Sequence, residues 1–173
     1  MTNLPDPDLA ESRHAIEAAV AQWTSVTGEE GALRLVYSRG RESGSDPTAY
    51  LMVGPLAPRV VAARRDGVAA LLLERGLPVA GVDAMPWLLA GAKTLSYAVN
   101  MAALRHAAAT GAGDVIFVST DGHILEGPRS TVVIATDGDG GAGGNPCLLT
   151  PPPWYPILRG TTQQAMFELA RSK

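Results

Sequence analysis

The chain has 173 residues, 46% apolar and 18% charged, with a formal net charge of −3; this suits one ordinary domain or two small ones with a real core, not a disordered chain. It shows no basic stripe beyond the short "ARRDG" at 63–67, and its three tryptophans and two phenylalanines are too few for a base-stacking platform, so nucleic-acid binding is excluded. A single cysteine, Cys147, leaves no internal disulfide and points to a reducing, cytoplasmic setting.

The opening "MTNLPDPDLAES" has neither a basic n-region nor an apolar h-region, so no signal peptide is read there. No apolar run reaches the ~18 residues of a membrane span. "DPDLAESRHAIEAAVAQWTSV" predicts a helix capped by Asp6 or Asp8, with Leu9, Ile16, Val20 and Trp23 on one face; "TGEEG" ends it. "ALRLVYSRG" alternates and predicts a strand, and "AYLMVGPL" a second, together part of a small α+β unit. "GVAALLLERG" predicts a buried strand, and "LPVAGVDAMPW", punctuated by Gly and Pro, an interdomain connector.

From Lys93 to about Thr110 the pattern turns helical, with Tyr97, Met101, Leu104 and Ala108 on one face. "DVIFVSTDGHILEG" predicts strand, tight turn and strand, Asp121-Gly122 making the turn because glycine readily takes positive φ. "STVVIAT" and "CLLT" predict further strands, separated by the glycine-rich "DGDGGAGGN". "PPPWYPILRG" predicts a proline-locked loop, and "TTQQAMFELARSK" a helix entered through Gly160, Thr161 and Thr162. His14, His106 and His123 have no metal-ligand spacing with one another or with Cys147, so no metal is expected.

Three features carry chemistry. Lys93 is the only ionisable amine between Trp87 and Leu104. It is either a solvated lysine near a helix end or an amine in apolar surroundings, where desolvation favours the neutral form that Schiff-base chemistry requires. Glu126 stands between a hairpin and a strand, where a carboxylate is either solvated or paired with a protonated ring nitrogen. The Gly160-Thr161-Thr162 turn is either an ordinary threonine cap or a helix N-terminus offering free N–H groups and hydroxyls to a phosphate monoester. An amine, a carboxylate and a phosphate cradle are the protein groups that pyridoxal phosphate uses.

The segments "KTLSYAVNMAALRHAAATGAGDVIFVSTDGHILEG", "STVVIAT" and "LLTPPPWYPILRGTTQQAMFELA" resemble the fold-type IV pyridoxal phosphate enzymes, the class IV aminotransferases. These include branched-chain and D-amino acid aminotransferases and aminodeoxychorismate lyases. The resemblance implies a two-domain α+β fold of the D-amino acid aminotransferase type. Residues 1–80 would be the remainder of a small N-terminal domain, 81–92 a connector and 93–173 the first part of a larger cofactor-binding domain. It also leads us to expect a chain incomplete at both termini: no "HLxRL"-type segment, whose arginine holds the phosphate, precedes Asp6, and the family's C-terminal strands do not follow Lys173.

By this resemblance Lys93 is the Schiff-base lysine, Glu126 the partner of the pyridine nitrogen, and Gly160, Thr161 and Thr162 the phosphate site. Leu158 packs on a ring face, Tyr97 lies near the ring hydroxyl and Ser130 beside the cofactor. The chain departs from the family pattern at Thr131, usually asparagine; at Gln163, usually arginine; and at Arg129, usually small. The short Lys-x-Leu-x spacing of "KTLSY", with "EGPRSTVV" and "PPPWYPILRGTTQQ", is most similar to the lyase group. The expected activity is conversion of 4-amino-4-deoxychorismate to 4-aminobenzoate and pyruvate, a step of folate biosynthesis, by a cytoplasmic homodimer. A class IV aminotransferase of branched-chain or D-amino acids is the alternative, and a non-catalytic remnant the third reading.

Overall fold

The computed structural model describes residues 5–41, 44, 46–94, 96–137 and 146–172. Most of the expected glycine-rich loop, residues 138–145, therefore lies outside the described residues. The chain divides into two compact units, residues 1–67 and 68–173.

The first unit opens with α1, Leu9–Thr27. Asp8 caps it, its Oδ1 accepting from the N–H of Ala10 at 2.8 Å and of Glu11 at 3.0 Å. Gly28 ends it in the left-handed region, φ +64°, donating its N–H to the Thr24 carbonyl. The half-buried stripe is Ser12, Ala15, Ile16, Ala19 and Trp23; Leu9 and Val20, expected on that face, are exposed. Trp23 is fixed by its indole N–H on the Glu29 carbonyl, 2.8 Å away. Strands β1, Gly31–Ser38, and β2, Thr48–Pro55, pair antiparallel from Gly31↔Pro55 to Ser38↔Thr48. A helix that the sequence pattern does not announce, α2 at Pro58–Asp66, follows; Pro58 suits its first turn, where no N–H is needed.

The second unit is a strand–helix–strand crossover with additions. Strand β3, Ala70–Glu74, leads through short 3-10 turns at Val82–Ala84 and Pro86–Leu88 to α3, Ala98–Ala109, and then to β4, Asp114–Val118. β3 and β4 pair parallel, Ala70↔Asp114 through Glu74↔Val118. That pairing moves the boundary between units to Gly67/Val68, ahead of the expected 80/81, since a strand belongs with the sheet it completes.

β4 alternates: Val115, Phe117 and Ser119 are buried, and Ala103 and Ala107 of α3 join Val115 and Phe117 in the core with Ala112, Leu125 and Ile157. The buried face of α3 is thus Ala103 and Ala107, while Met101 and Ala108 of the expected face are exposed. Two alanines one turn apart let the helix backbone approach the sheet closely. β5, Ile134–Thr136, and β6, Cys147–Leu149, form an antiparallel pair, and α4, Thr161–Arg171, closes the described chain. Among the described residues no helix is long and apolar enough to cross a membrane.

Candidate active site

The site is best built outward from β4. After Val118 the chain turns through Thr120-Asp121-Gly122, with Gly122 at φ +85°, its N–H on the Ser119 carbonyl and the Ser119 N–H on the His123 carbonyl. This is a three-residue hairpin loop with glycine in the left-handed position, so the turn falls where the sequence places it. The returning segment is not a regular strand. Val118 pairs with Ile124, but Phe117 then accepts from the N–H of Leu125 at 2.9 Å and donates to the carbonyl of Glu126 at 2.8 Å. Two consecutive residues oppose one, which is a β-bulge, and a bulge re-aims the side chains that follow it.

Glu126 is half-buried. Its Oε2 accepts the N–H of Leu158 at 3.0 Å. Burial pushes its carboxyl above the ordinary range, while the Leu158 N–H and the charges of Arg75 and Lys93 pull the other way. The structure therefore brings Glu126 and Leu158, two expected site residues, into direct contact.

Lys93 is not at a helix start in apolar surroundings. It is exposed, in irregular backbone, five residues before α3 begins at Ala98. The helix starts late because the approach is made of turns: Leu89 and Gly91 both adopt positive φ, 51° and 75°. A Cβ at Gly91 would lie 2.9 Å from the Ile157 carbonyl oxygen, so glycine here lets the loop leading to Lys93 approach the loop that carries Leu158.

Tyr97 is half-buried, and its hydroxyl donates to the Pro128 carbonyl at 2.8 Å. Asn100, which sequence reasoning did not single out, donates to the same oxygen at 2.9 Å. The two clamp the turn of residues 127–130, in which Gly127 donates its N–H to the Ser130 carbonyl at 2.8 Å and any Cβ on Gly127 would strike the Ser130 hydroxyl. Ser130 itself is exposed.

α4 is entered from Gly160, in extended backbone and with no side chain capping the helix. Gln164 donates its N–H to the Gly160 carbonyl at 3.1 Å, the first bond of the helix. The N–H groups of the first turn thus have no partner within the helix, beside the exposed Thr161 and Thr162. A Cβ at Gly160 would meet the Thr131 hydroxyl oxygen at 2.7 Å, so glycine allows residue 131, part of the segment after Glu126, to lie against this helix end. A cleft of about 360 Å³ borders the same end of α4, lined in part by Leu158, Gln163 and Phe167, but neither Lys93 nor Glu126 lines it. Among the described residues no three His, Cys, Asp or Glu side chains gather to hold a metal ion.

With a parallel crossover, a bulged carboxylate held by a backbone N–H and an uncapped helix N-terminus in place, the class follows: the chain belongs to the amino-transferase class IV family, whose profile matches residues 2–173. Over all 173 residues it is 73% identical to the bifunctional aminodeoxychorismate lyase / D-amino acid transaminase of Mycobacterium tuberculosis, and it covers 60% of that protein. A solved structure of a hypothetical aminotransferase from Mycobacterium tuberculosis, in its PLP-bound form, superposes with a TM-score of 0.89 at 70% identity, over 98% of this chain and 57% of that one. A fold IV-transaminase from Curtobacterium pusillum superposes with a TM-score of 0.81 at 41% identity, over 98% of this chain and 54% of that one. The described residues therefore have the fold-type IV architecture, and the chain spans about 60% of the length of the curated relative it matches.

Proposed function

We propose that this protein is a pyridoxal phosphate-dependent lyase that converts 4-amino-4-deoxychorismate to 4-aminobenzoate and pyruvate, acting in the cytoplasm as a homodimer in folate biosynthesis. The observation that carries the reading is Glu126: a half-buried carboxylate fixed by the Leu158 N–H. The similar Mycobacterium tuberculosis protein is named for this lyase activity.

The residues present fit the cofactor. An amine, a fixed carboxylate and a helix end without a side-chain cap all lie in the second unit, and Gly160 lets the Thr131 hydroxyl lie against that helix end. Bound there, pyridoxal phosphate supplies an electron sink for the charge left when a substrate carbon loses a proton. Thr161 and Thr162 hold the phosphate through N–H and hydroxyl groups at the positive end of the helix dipole. Glu126 keeps a proton on the ring nitrogen. Lys93 would be the covalent anchor, and its Nζ, when free, would accept the substrate proton. Leu158, Ser130 and Tyr97 border the ring, Tyr97 and Asn100 by holding the turn that carries Ser130.

A second reading is an aminotransferase of D-amino or branched-chain amino acids. It is favoured by the second half of the relative's name and by a solved structure of the hypothetical aminotransferase from Mycobacterium tuberculosis in an alpha-ketoglutarate and PMP bound form. One preparation tests both: formation of 4-aminobenzoate from aminodeoxychorismate, beside keto-acid-dependent consumption of D-alanine and L-leucine. Lyase turnover is expected. Transamination alone would replace the first reading by the second, and failure to bind pyridoxal phosphate at all would leave a non-catalytic chain.

A further inference from the structure

Three residues before Glu126 and Leu158 meet, the same two segments meet a first time, through His123 and Tyr155. The Tyr155 hydroxyl and His123 Nδ1 are 3.2 Å apart, and the ring centres are 5.3 Å apart with the planes tilted at 56°. This contact and the Leu158–Glu126 bond each span thirty-two residues, so segments 123–126 and 155–158 run in step. Between the two contacts lie Leu125 and Ile157, both in the core. His123 is a fixed post: its N–H donates to the Ser119 hydroxyl at 2.8 Å, its carbonyl accepts the Ser119 N–H at 2.8 Å, and Ser119 is buried. Segment 155–158 belongs instead to an irregular, proline-rich loop. There Tyr155 donates its N–H to the Pro152 carbonyl at 3.0 Å and accepts the Ile157 N–H at 2.7 Å, so the loop folds around Tyr155.

We propose that Tyr155 and His123 are positioning residues for Glu126: their contact ties the loop to the hairpin and so keeps the Leu158 N–H on the carboxylate. A group carried on a loop is placed less firmly than one on a strand or helix, and hydrogen bonds from neighbouring side chains make up the difference. The cleft that the two rings border is otherwise lined by Ile124, Val132, Ile134, Leu149, prolines and Thr150, and the Thr150 hydroxyl is spent on the Val132 carbonyl at 2.8 Å. Among these lining residues the His123 ring and the Tyr155 hydroxyl are each other's polar partners. Tyr155 also packs against the core cluster, so its packing and its hydroxyl can be removed separately. That Glu126 serves a ring nitrogen rests on the function proposed above; the tie itself is measured without any cofactor.

The test is solvent exchange of the Leu158 amide, followed by NMR at one pH in the cofactor-free protein. The Phe117 amide, bonded to the Glu126 carbonyl, is the internal reference. Tyr155→Phe keeps the packed ring and removes the hydroxyl. It is expected to speed exchange at Leu158 by about two- to tenfold, the worth of one hydrogen bond, and to leave Phe117 unchanged. His123→Leu should do the same, and the double variant should exchange no faster than the faster single one, because one tie is lost only once. His123→Asn, which keeps a polar atom where Nδ1 stands, should stay near the wild-type rate. Unchanged exchange at Leu158, equal acceleration at Phe117, or a double variant in which the two effects multiply would each overturn the proposal. So would a His123→Asn rate equal to that of His123→Leu, since ring packing would then hold the loop. His123 is exposed, so should Tyr155→Phe fail to fold, His123→Leu and His123→Asn decide by the same criteria. None of these readings depends on whether pyridoxal phosphate binds, so a failed tie is told apart from a failed function.

Discussion

The backbone N–H of Leu158 donates to Oε2 of Glu126 at 3.0 Å, across thirty-two residues of chain. Beside it, Ile157 is 5% exposed and its carbonyl lies where a Cβ on Gly91 would intrude at 2.9 Å. Three segments distant in sequence, the approach to Lys93, the bulge at Glu126 and the proline-locked loop, therefore converge on one backbone turn. The hydrogen bond satisfies a half-buried N–H and orients a carboxylate at the same time, so Glu126 is set by its surroundings rather than by its own rotamers.

Burial raises the Glu126 carboxyl in the folded chain, whereas an unfolded glutamate titrates near its ordinary value of about 4.3. Between those two values the unfolded chain binds fewer protons, so stability falls as pH rises through the window and the deficit persists at neutral pH. Glu126→Gln keeps an oxygen to accept from Leu158 and removes the charge. It should melt higher than wild type at pH 7, and the two curves should meet below about pH 4. Thermal melts across that range check it; a constant difference at every pH would refute the linkage. In the loaded enzyme the same substitution should leave cofactor bound and slow turnover by about 10²-fold or more, as removal of a charge-stabilising group does.

Lysine occurs only at positions 93 and 173. Under the proposed function Lys93→Ala should lose the visible absorbance of pyridoxal phosphate joined to an amine. Borohydride reduction of wild type should label the peptide containing Lys93 and no other. A label on Lys173, or absorbance retained in Lys93→Ala, would remove Lys93 from its role.

Local signals made much of this fold legible. Asp8 and Gly28 mark α1 by cap chemistry, and Gly122 marks the turn after β4. α2 gives no such signal: Val60 and Val61 are adjacent and cannot make a helical stripe, and its first turn carries no side-chain cap. The late start of α3 depends on positive φ at Leu89 and Gly91, which apolar periodicity does not record. The bulge at Leu125–Glu126 reads in sequence like an ordinary strand, because alternation is broken by pairing with Phe117 rather than by composition. Lys93, Glu126 and Thr161 stand out in the sequence by residue type and order, and their roles belong to the proposed function. Asn100 does not, since it acts through a partner brought near only by the fold.

Asp121 ties the hairpin to the segment after β3. Its carboxylate accepts the N–H of Val79 at 3.0 and 3.1 Å and of Ala80 at 3.1 Å. The Ser119 hydroxyl first, then these two N–H groups, hold the carboxyl well below the usual range. A depressed carboxyl contributes stability above its unfolded value of about 3.9 and loses it as pH falls toward the folded value. Asp121→Asn should therefore lower the urea midpoint at pH 7 and flatten the acid side of the stability curve. The group lies in solvent, where its charge is screened, so a shifted midpoint is expected and not loss of the fold. Identical midpoints for both proteins at pH 7 would show that the N–H groups of Val79 and Ala80 are equally well served by water.

Tyr97 and Asn100 both donate to the buried Pro128 carbonyl, at 2.8 and 2.9 Å, and that shared acceptor predicts a specific failure of additivity. Tyr97→Phe leaves the oxygen bonded to Asn100, and Asn100→Ala leaves it bonded to Tyr97. Each loses one hydrogen bond, worth about 0.5–1.5 kcal/mol. The double variant strips the carbonyl of both donors, and a bare buried acceptor costs a further ~1–3 kcal/mol. Urea unfolding of the four proteins should therefore give a double variant less stable than the sum of the singles by about 1–2 kcal/mol, well outside the ~0.3–0.5 kcal/mol scatter of independent sites. Additivity within that scatter would mean that water reaches Pro128 once either side chain is shortened. The clamp also holds the turn between Glu126 and Thr131, so the double variant, more than either single one, should weaken pyridoxal phosphate binding in an absorbance titration. Full binding by a destabilised double variant would separate the clamp from the site and assign Tyr97 and Asn100 to stability alone.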